Sequence, residues 1–198
     1  MELTEAKPSN RERLLEALAD SIREKGLQQT QIGDIVKHAH TSRRTFYECF
    51  PDKESCFIEL IRAASEGIVA ELEAAIDPTA PWEKQVDQAI DTYLGALSRD
   101  PALTATISRE LSTLGARGAA LQQEGVERFA KLIVTLAARP ELRRAGIEPV
   151  DLDTAVMLTG GISELVARAS PNDEDLSNVA STAKQVIKAV LAPRQAQS

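Results

Sequence analysis

Apolar residues recur along this chain at helical spacing, and no stretch alternates in the manner of a strand. From about Asn10 to Lys25, Leu14, Leu15, Leu18 and Ile22 share one face, and Gly26 is placed to stop the helix. From Gln31 to Ala39, residues Ile32, Ile35, Val36 and Ala39 fall at i, i+3, i+4 and i+7. Thr30 or Gln31 begins that helix, and Thr30 is chemically the better cap. A third segment, Ser42 to Cys49, is capped by Thr41 or Ser42 and broken by Phe50-Pro51-Asp52. The fourth, Lys53 to Ile76, carries a long stripe that includes Phe57, Leu60, Ile61, Ala64, Ile68 and Leu72. Further segments follow at about Trp82–Ser98, Ala102–Leu114, Ala119–Arg139, Asp151–Ala169 and Asp173–Leu191. The pattern makes a loop of Gly115–Gly118 and another around Pro140, Gly146 and Pro149. Gly160-Gly161, inside a helical stretch, marks a kink or close packing. The class is all-α, with about nine helices.

Composition agrees with this pattern. Aromatic residues make up only 4% and Ala and Leu are frequent, a balance that favours helix over strand. The 198 residues allow one domain or two small ones. The first ten residues have no apolar run of the secretory type, and no run nears the roughly 20 residues of a membrane span. Two cysteines are too few for a disulfide framework. These features point to a reduced, cytoplasmic protein that does not enter a membrane.

The net charge of −7 is unevenly divided. Residues 1–62 hold 10 basic and 11 acidic side chains, and residues 63–198 hold 13 and 19. Within the first part, Lys37 to Tyr47 contains Lys37, His38, His40, Arg43 and Arg44 and no acid. An acidic chain with a local basic surface of this kind can still bind DNA, because the contacting surface sets the local potential. Two short helices joined through Ala39-His40-Thr41 have helix-turn-helix spacing. The second opens with Ser42-Arg43-Arg44-Thr45, and the first turn of a recognition helix points into the major groove. Arginine there forks onto guanine, and hydroxyls reach bases or phosphates. Phe46 and Phe50, four apart, face inward, while Tyr47 offers its hydroxyl to a phosphate from another face. Lys53 opens the next helix, where the dipole disfavours a cation and a phosphate would favour one.

The run Gly26-Leu27, Thr30 to Val36, Ala39, Ser42 to Tyr47 and Phe50 to Glu54 resembles the DNA-binding domain of the TetR family of transcriptional regulators. Its ending, Thr-Phe-Tyr-x-x-Phe-x-x-Lys-Glu, is the most specific piece. The motif resemblance covers roughly residues 10–60. It implies three N-terminal helices followed by a helical ligand-binding and dimerisation domain, divided here as 1–52 and 53–198. It further implies a homodimer in which an effector shifts the fourth helix and spreads the two reading heads. Two positions depart from the usual pattern. His40-Thr41 stands where Gly and an apolar residue are common, and His tolerates the left-handed conformation better than most. Gln31 stands where a hydroxyl residue is common, with Thr30 beside it as a substitute. The expected DNA contacts are Thr30, Gln31, Thr41, Ser42, Arg43, Arg44, Thr45, Tyr47 and Lys53, and the partner is a palindromic double-stranded operator.

The rest of the chain carries weaker signals. Trp82, Tyr93, Leu97, Ile107, Ser108, Leu111, Phe129 and Ile133 are candidates for a mostly apolar effector pocket, set against a plain core reading. The segments after Asp151 and Asp173 offer Ala155, Leu158, Ile162, Leu165, Val179, Ala183, Val186 and Val190 for a two-fold four-helix seam. The same stripes equally suit packing within one chain. Cys49 and Cys56 read as small buried hydrophobes before they read as a thiol switch. With the two histidines they match no zinc spacing, so no metal or cofactor is expected. No paired acid–base arrangement suggests catalysis. The sequence therefore favours a repressor released by a small hydrophobic ligand. A regulator controlled by a protein partner or by cysteine oxidation is the second reading, and an enzyme on a helical scaffold the remote one.

Overall fold

The computed structural model describes residues 8–169 and 176–193. The residues before Pro8 and the Asp173 start expected for the last helix lie outside them. Among the described residues ten helices follow one another and no strand occurs. The chain forms two compact units that divide between Ala64 and Ser65.

The first unit is built on α1 (Asn10–Gln29). Ser9 caps it reciprocally: the Glu12 amide donates to Ser9 Oγ at 3.2 Å and the Ser9 amide to Glu12 Oε2 at 2.7 Å. The stop expected at Gly26 is present in the backbone. Its φ of +77° interrupts α1 before one further turn. Then come α2 (Ile32–His38), α3 (Arg43–Cys49) and the first part of α4 (Lys53–Ala75). Leu14, Leu18, Ile35, Phe46, Phe50, Cys56 and Phe57 are all at least 98% buried and form its core.

The second unit begins within α4 and continues through α5 (Trp82–Arg99), α6 (Pro101–Thr113), α7 (Gly115–Ala137), α8 (Pro140–Arg144), α9 (Leu152–Ala169) and α10 (Ser177–Leu191). Two assignments differ from the sequence reading. The stretch read as a loop at Gly115–Gly118 is the first turn of α7, because a single residue, Gly115 at φ +55°, makes the whole reversal out of α6. Gly118 is needed for space: a Cβ there would collide with the Leu111 carbonyl at the end of α6. The second difference is α8, one turn started by Pro140 inside a stretch read as loop. It brings the helix count to ten.

Val86, Ile90 and Leu94 of α5 pack with Leu158 and Val166 of α9 and Val179, Ala183 and Ile187 of α10. Ala130 of α7 and Ala155 of α9 are fully buried in a second cluster, where small side chains let two helices approach closely. Two ion pairs one turn apart join α5 to α10: Asp87 to Lys188 and Asp91 to Lys184, both at 2.6 Å. The Lys188 hydrogen bond holds the Asp87 carboxyl below the usual carboxylate range. A pKa lower in the folded than in the unfolded state stabilises above the unfolded value, and that contribution is lost as pH falls through the folded value. Stability of the second unit is therefore expected to decline from about pH 5 towards pH 3. Asp87→Asn should flatten part of that decline in urea titrations taken at successive pH values.

Candidate functional site

The junction of α2 and α3 is a helix-turn-helix whose turn has identifiable geometry. The His40 amide donates to Lys37 O at 3.2 Å and the Thr41 amide to Val36 O at 2.9 Å, with His40 at φ +47°. This is a Schellman stop in which His occupies the left-handed position that glycine usually takes. The chain then re-enters helix at Ser42, whose Oγ accepts from the Thr45 amide at 3.1 Å. Phe46 and Phe50 turn inward, their ring centroids 5.8 Å apart. Ser42, Arg43, Arg44 and Tyr47 are exposed, and Thr41 and Thr45 are half-buried. Arg44 pairs with Glu48 at 2.9 Å but keeps 88% of its side chain accessible. A Cβ on Gly33 would lie 3.2 Å from the Arg43 guanidinium, so Arg43 rests along the start of α2.

The second unit holds a cavity of about 130 Å³. Its wall is apolar apart from the Trp82 indole N–H and the polar groups of Gln85, Tyr93 and Thr159. Trp82, Tyr93, Phe129 and Ile133 are among the lining residues, and the Tyr93 and Phe129 rings meet edge-on at 5.3 Å. Burial raises the Tyr93 phenol's pKa, and Ser163 partners its hydroxyl. The Gln85 side-chain amide donates to Ala80 O at 2.9 Å, fastening the loop before α5. Leu97, Ile107, Ser108 and Leu111 are not part of the lining. The lining uses the end of α4 (Leu72, Ile76) and the α8 region (Leu142, Ile147) instead of α6.

Residues 14–60 match the sequence model of the bacterial regulatory proteins of the tetR family. Most of the first unit therefore carries the TetR-type sequence pattern. The chain is 32% identical over 102 residues to YdgC of Bacillus subtilis, described as an uncharacterized HTH-type transcriptional regulator. That match takes in 48% of this chain and spans about half (51%) of the relative's length. Two solved structures share the fold. FadR of Bacillus halodurans, a fatty acid degradation regulator, superposes with a TM-score of 0.67 at 18% identity, over 96% of this chain and 99% of its own. FadR of Bacillus subtilis, solved with stearoyl-CoA, gives 0.69 at 19% identity, over 92% and 98%. The fold as a whole is TetR-like.

Within the TetR-type domain, four basic or hydroxyl residues have structural partners that the sequence pattern does not disclose. Thr30 does not cap α2. It is 1% exposed, its hydroxyl donates to Gly26 O at 2.8 Å, and Gln31 stands at the N-cap position. The Lys53 ammonium donates to Leu27 O at 2.7 Å and Thr30 O at 2.8 Å, capping the last turn of α1. Arg13 donates to the carbonyls of Ala39 and His40, bracing the turn before α3. Arg11 donates to Cys49 O at 3.1 Å, closing the other end of α3, and lies 4.5 Å over the Phe50 ring. Its pair with Glu59, at 2.7 Å, holds that carboxyl below its usual range.

Cys56 is fully buried, and burial pushes its thiol up to about 12, which makes it a poor redox sensor. Among the described residues, no group of three His, Cys, Asp or Glu could hold a metal, and no helix is long and apolar enough to cross a membrane.

The seam candidates also separate. Ala155, Leu158, Val179 and Ala183 are buried in the core of their own unit. Ile162 lines the cavity, and Leu165 packs half-buried against the core. Only Val186 and Val190 of the eight are exposed. Gly160 and Gly161 mark no close packing within the unit, since a Cβ at either meets nothing within 4 Å.

Lys53→Met should lower the unfolding free energy by about 1–2 kcal/mol, because it leaves two carbonyls without their donor. Urea denaturation followed by circular dichroism measures this; a lysine acting only on phosphate would leave the midpoint unchanged.

Proposed function

We propose that this chain is a homodimeric transcriptional repressor that binds a roughly palindromic operator and is released by a small hydrophobic ligand. In functional terms residues 1–52 read DNA, and residues 53–198 bind the effector and dimerise. One α3 enters each major groove, with Arg43 and Arg44 directed at bases and Ser42, Thr45 and Tyr47 at bases or phosphates. Thr41 and Gln31 stand at the margins of that surface. Thr30 and Lys53 support it by fixing the end of α1, and any phosphate contact they make comes in addition to that role.

The observation that carries the ligand reading is the course of α4. Cys56, Phe57, Leu60 and Ile61 of this helix are buried, and its far end places Leu72 and Ile76 in the cavity wall. A ligand that displaces Leu72 or Ile76 therefore acts on the helix that begins beside the reading head. It shifts the equilibrium only by its difference in affinity for the two conformations. The stearoyl-CoA bound to FadR of Bacillus subtilis supports a hydrophobic effector on this fold.

For dimerisation we favour the exposed apolar positions of the last two helices, Met157 at 65% exposure with Val186 and Val190. The open space at Gly160 and Gly161 suits the approach of a partner helix. Ile162, Leu165 and the buried small residues back this face from within.

Selection of bound fragments from sheared genomic DNA, at near-physiological salt and without ligand, should enrich an inverted repeat. No enrichment by a folded dimer would overturn the ligand-free repressor. Arg43→Ala with Arg44→Ala should weaken binding to the selected fragment by about thirtyfold or more, with the melting temperature unchanged. Val186→Asp with Val190→Asp should convert the dimer to monomer in sedimentation velocity and abolish operator binding in the same step.

A further inference from the structure

We propose that the cavity's ligand is an uncharged, largely apolar molecule whose single hydrogen-bonding group is held by the Thr159 hydroxyl. This rests on the reading of the cavity as the effector site, and names the chemistry that the site selects. Thr159 is 94% buried and lines the cavity from α9. Its hydroxyl is the one buried side-chain polar atom among the described residues that has no hydrogen-bond partner.

A hydroxyl inside a helix ordinarily bonds back to the carbonyl four residues earlier. Thr135 does so to Lys131 at 2.9 Å, and Ser21 does so to Ala17 at 2.9 Å. Thr159 does not, so its hydroxyl stays without a protein partner, on a residue of the cavity wall. Two other polar groups of the wall have partners within the protein. The Tyr93 hydroxyl has Ser163, and the Gln85 amide has the Ala80 carbonyl. A buried polar group without a partner destabilises the fold, and a ligand atom that pairs with it gains that difference on binding.

The rest of the wall defines what else the ligand can carry. No lining residue is Asp, Glu, Lys, Arg or His. A carboxylate or ammonium drawn inside would lose its hydration without a counter-charge, and that is heavily disfavoured. The volume, about 130 Å³, resembles that of apolar cavities of ~150 Å³ that accept one benzene. A short chain or a single ring bearing a hydroxyl, carbonyl or ether fits these limits.

Trp82 is the only tryptophan of the chain and lines the cavity, so its emission reports occupancy. The probes are 1-hexanol, hexanoate at pH 8 and 1-chlorohexane, titrated into the full-length protein. The wild type should bind 1-hexanol at least about tenfold more tightly than hexanoate. Thr159→Val should weaken 1-hexanol by about fivefold and leave 1-chlorohexane unchanged. Thr159→Ser, which keeps the hydroxyl, should retain 1-hexanol binding. Without ligand, Thr159→Val should melt about 2–4 °C higher, because it removes the unpaired hydroxyl.

Equal affinity for hexanoate and 1-hexanol would overturn the proposal, as would equal losses of 1-hexanol and 1-chlorohexane in Thr159→Val. Failure of every probe to alter Trp82 emission would overturn it together with the effector site. If 1-hexanol binds through Thr159 but does not release the selected DNA fragment, the ligand chemistry stands and the repressor-release reading falls.

Discussion

A helix of seven residues cannot hold itself together in water, and α3 is seven residues long. Its position must come entirely from tertiary contacts, and much of the first unit supplies them. Phe46 and Phe50 bury the inner face, Ser42 caps the start, and a Schellman stop aims the chain into it. Two arginines on the first turn of α1 complete the support, Arg13 at the turn before α3 and Arg11 at the carbonyl that ends it. The exposed side chains of α3 are thereby presented on a backbone held from both ends. Such preorganisation lowers the ordering cost of any contact that the helix makes.

That arrangement also explains how much of the first unit was legible in the sequence. Hydrophobic spacing placed α1 to α3, and the i, i+4 pair Phe46 and Phe50 marked the inner face correctly. His40 in the turn was interpretable because few residues other than glycine accept a positive φ. The roles of Arg11, Arg13, Lys53 and Thr30 were not legible, because each depends on a carbonyl distant in sequence. Lys53 reaches Leu27 and Thr30, and Arg13 reaches Ala39 and His40. By composition alone, a basic residue that stabilises the domain looks the same as one that meets a phosphate.

In the second unit the helices were legible and their partners were not. Trp82, Tyr93, Phe129 and Ile133 were placed in the cavity because large side chains at helical spacing mark an inner face. Leu97 and the α6 candidates lie outside that lining, while Leu72 of α4 and Ile76 just after it lie within it. Ala155, Leu158, Val179 and Ala183 illustrate the general difficulty. A helix that packs on two sides has a wide apolar stripe, and periodicity does not say which side meets its own chain. The one-turn α8 lay below the length at which any period can be seen. The hydroxyl of Thr159 drew no attention in the sequence, since a threonine within a helix ordinarily finds its bond at home.

Gly118 has a consequence that reaches beyond its own turn. With no side chain there, α7 starts against the last carbonyls of α6, and this contact sets where α7 lies along its length. Phe129 and Ile133 are carried into the cavity wall by that same helix. The shape of the cavity is thus fixed partly by a residue that is not in its wall. Over evolutionary time, the shape of that cavity can drift through the joint between two helices as well as through the wall itself. Comparing only lining residues between relatives would miss that part of the history.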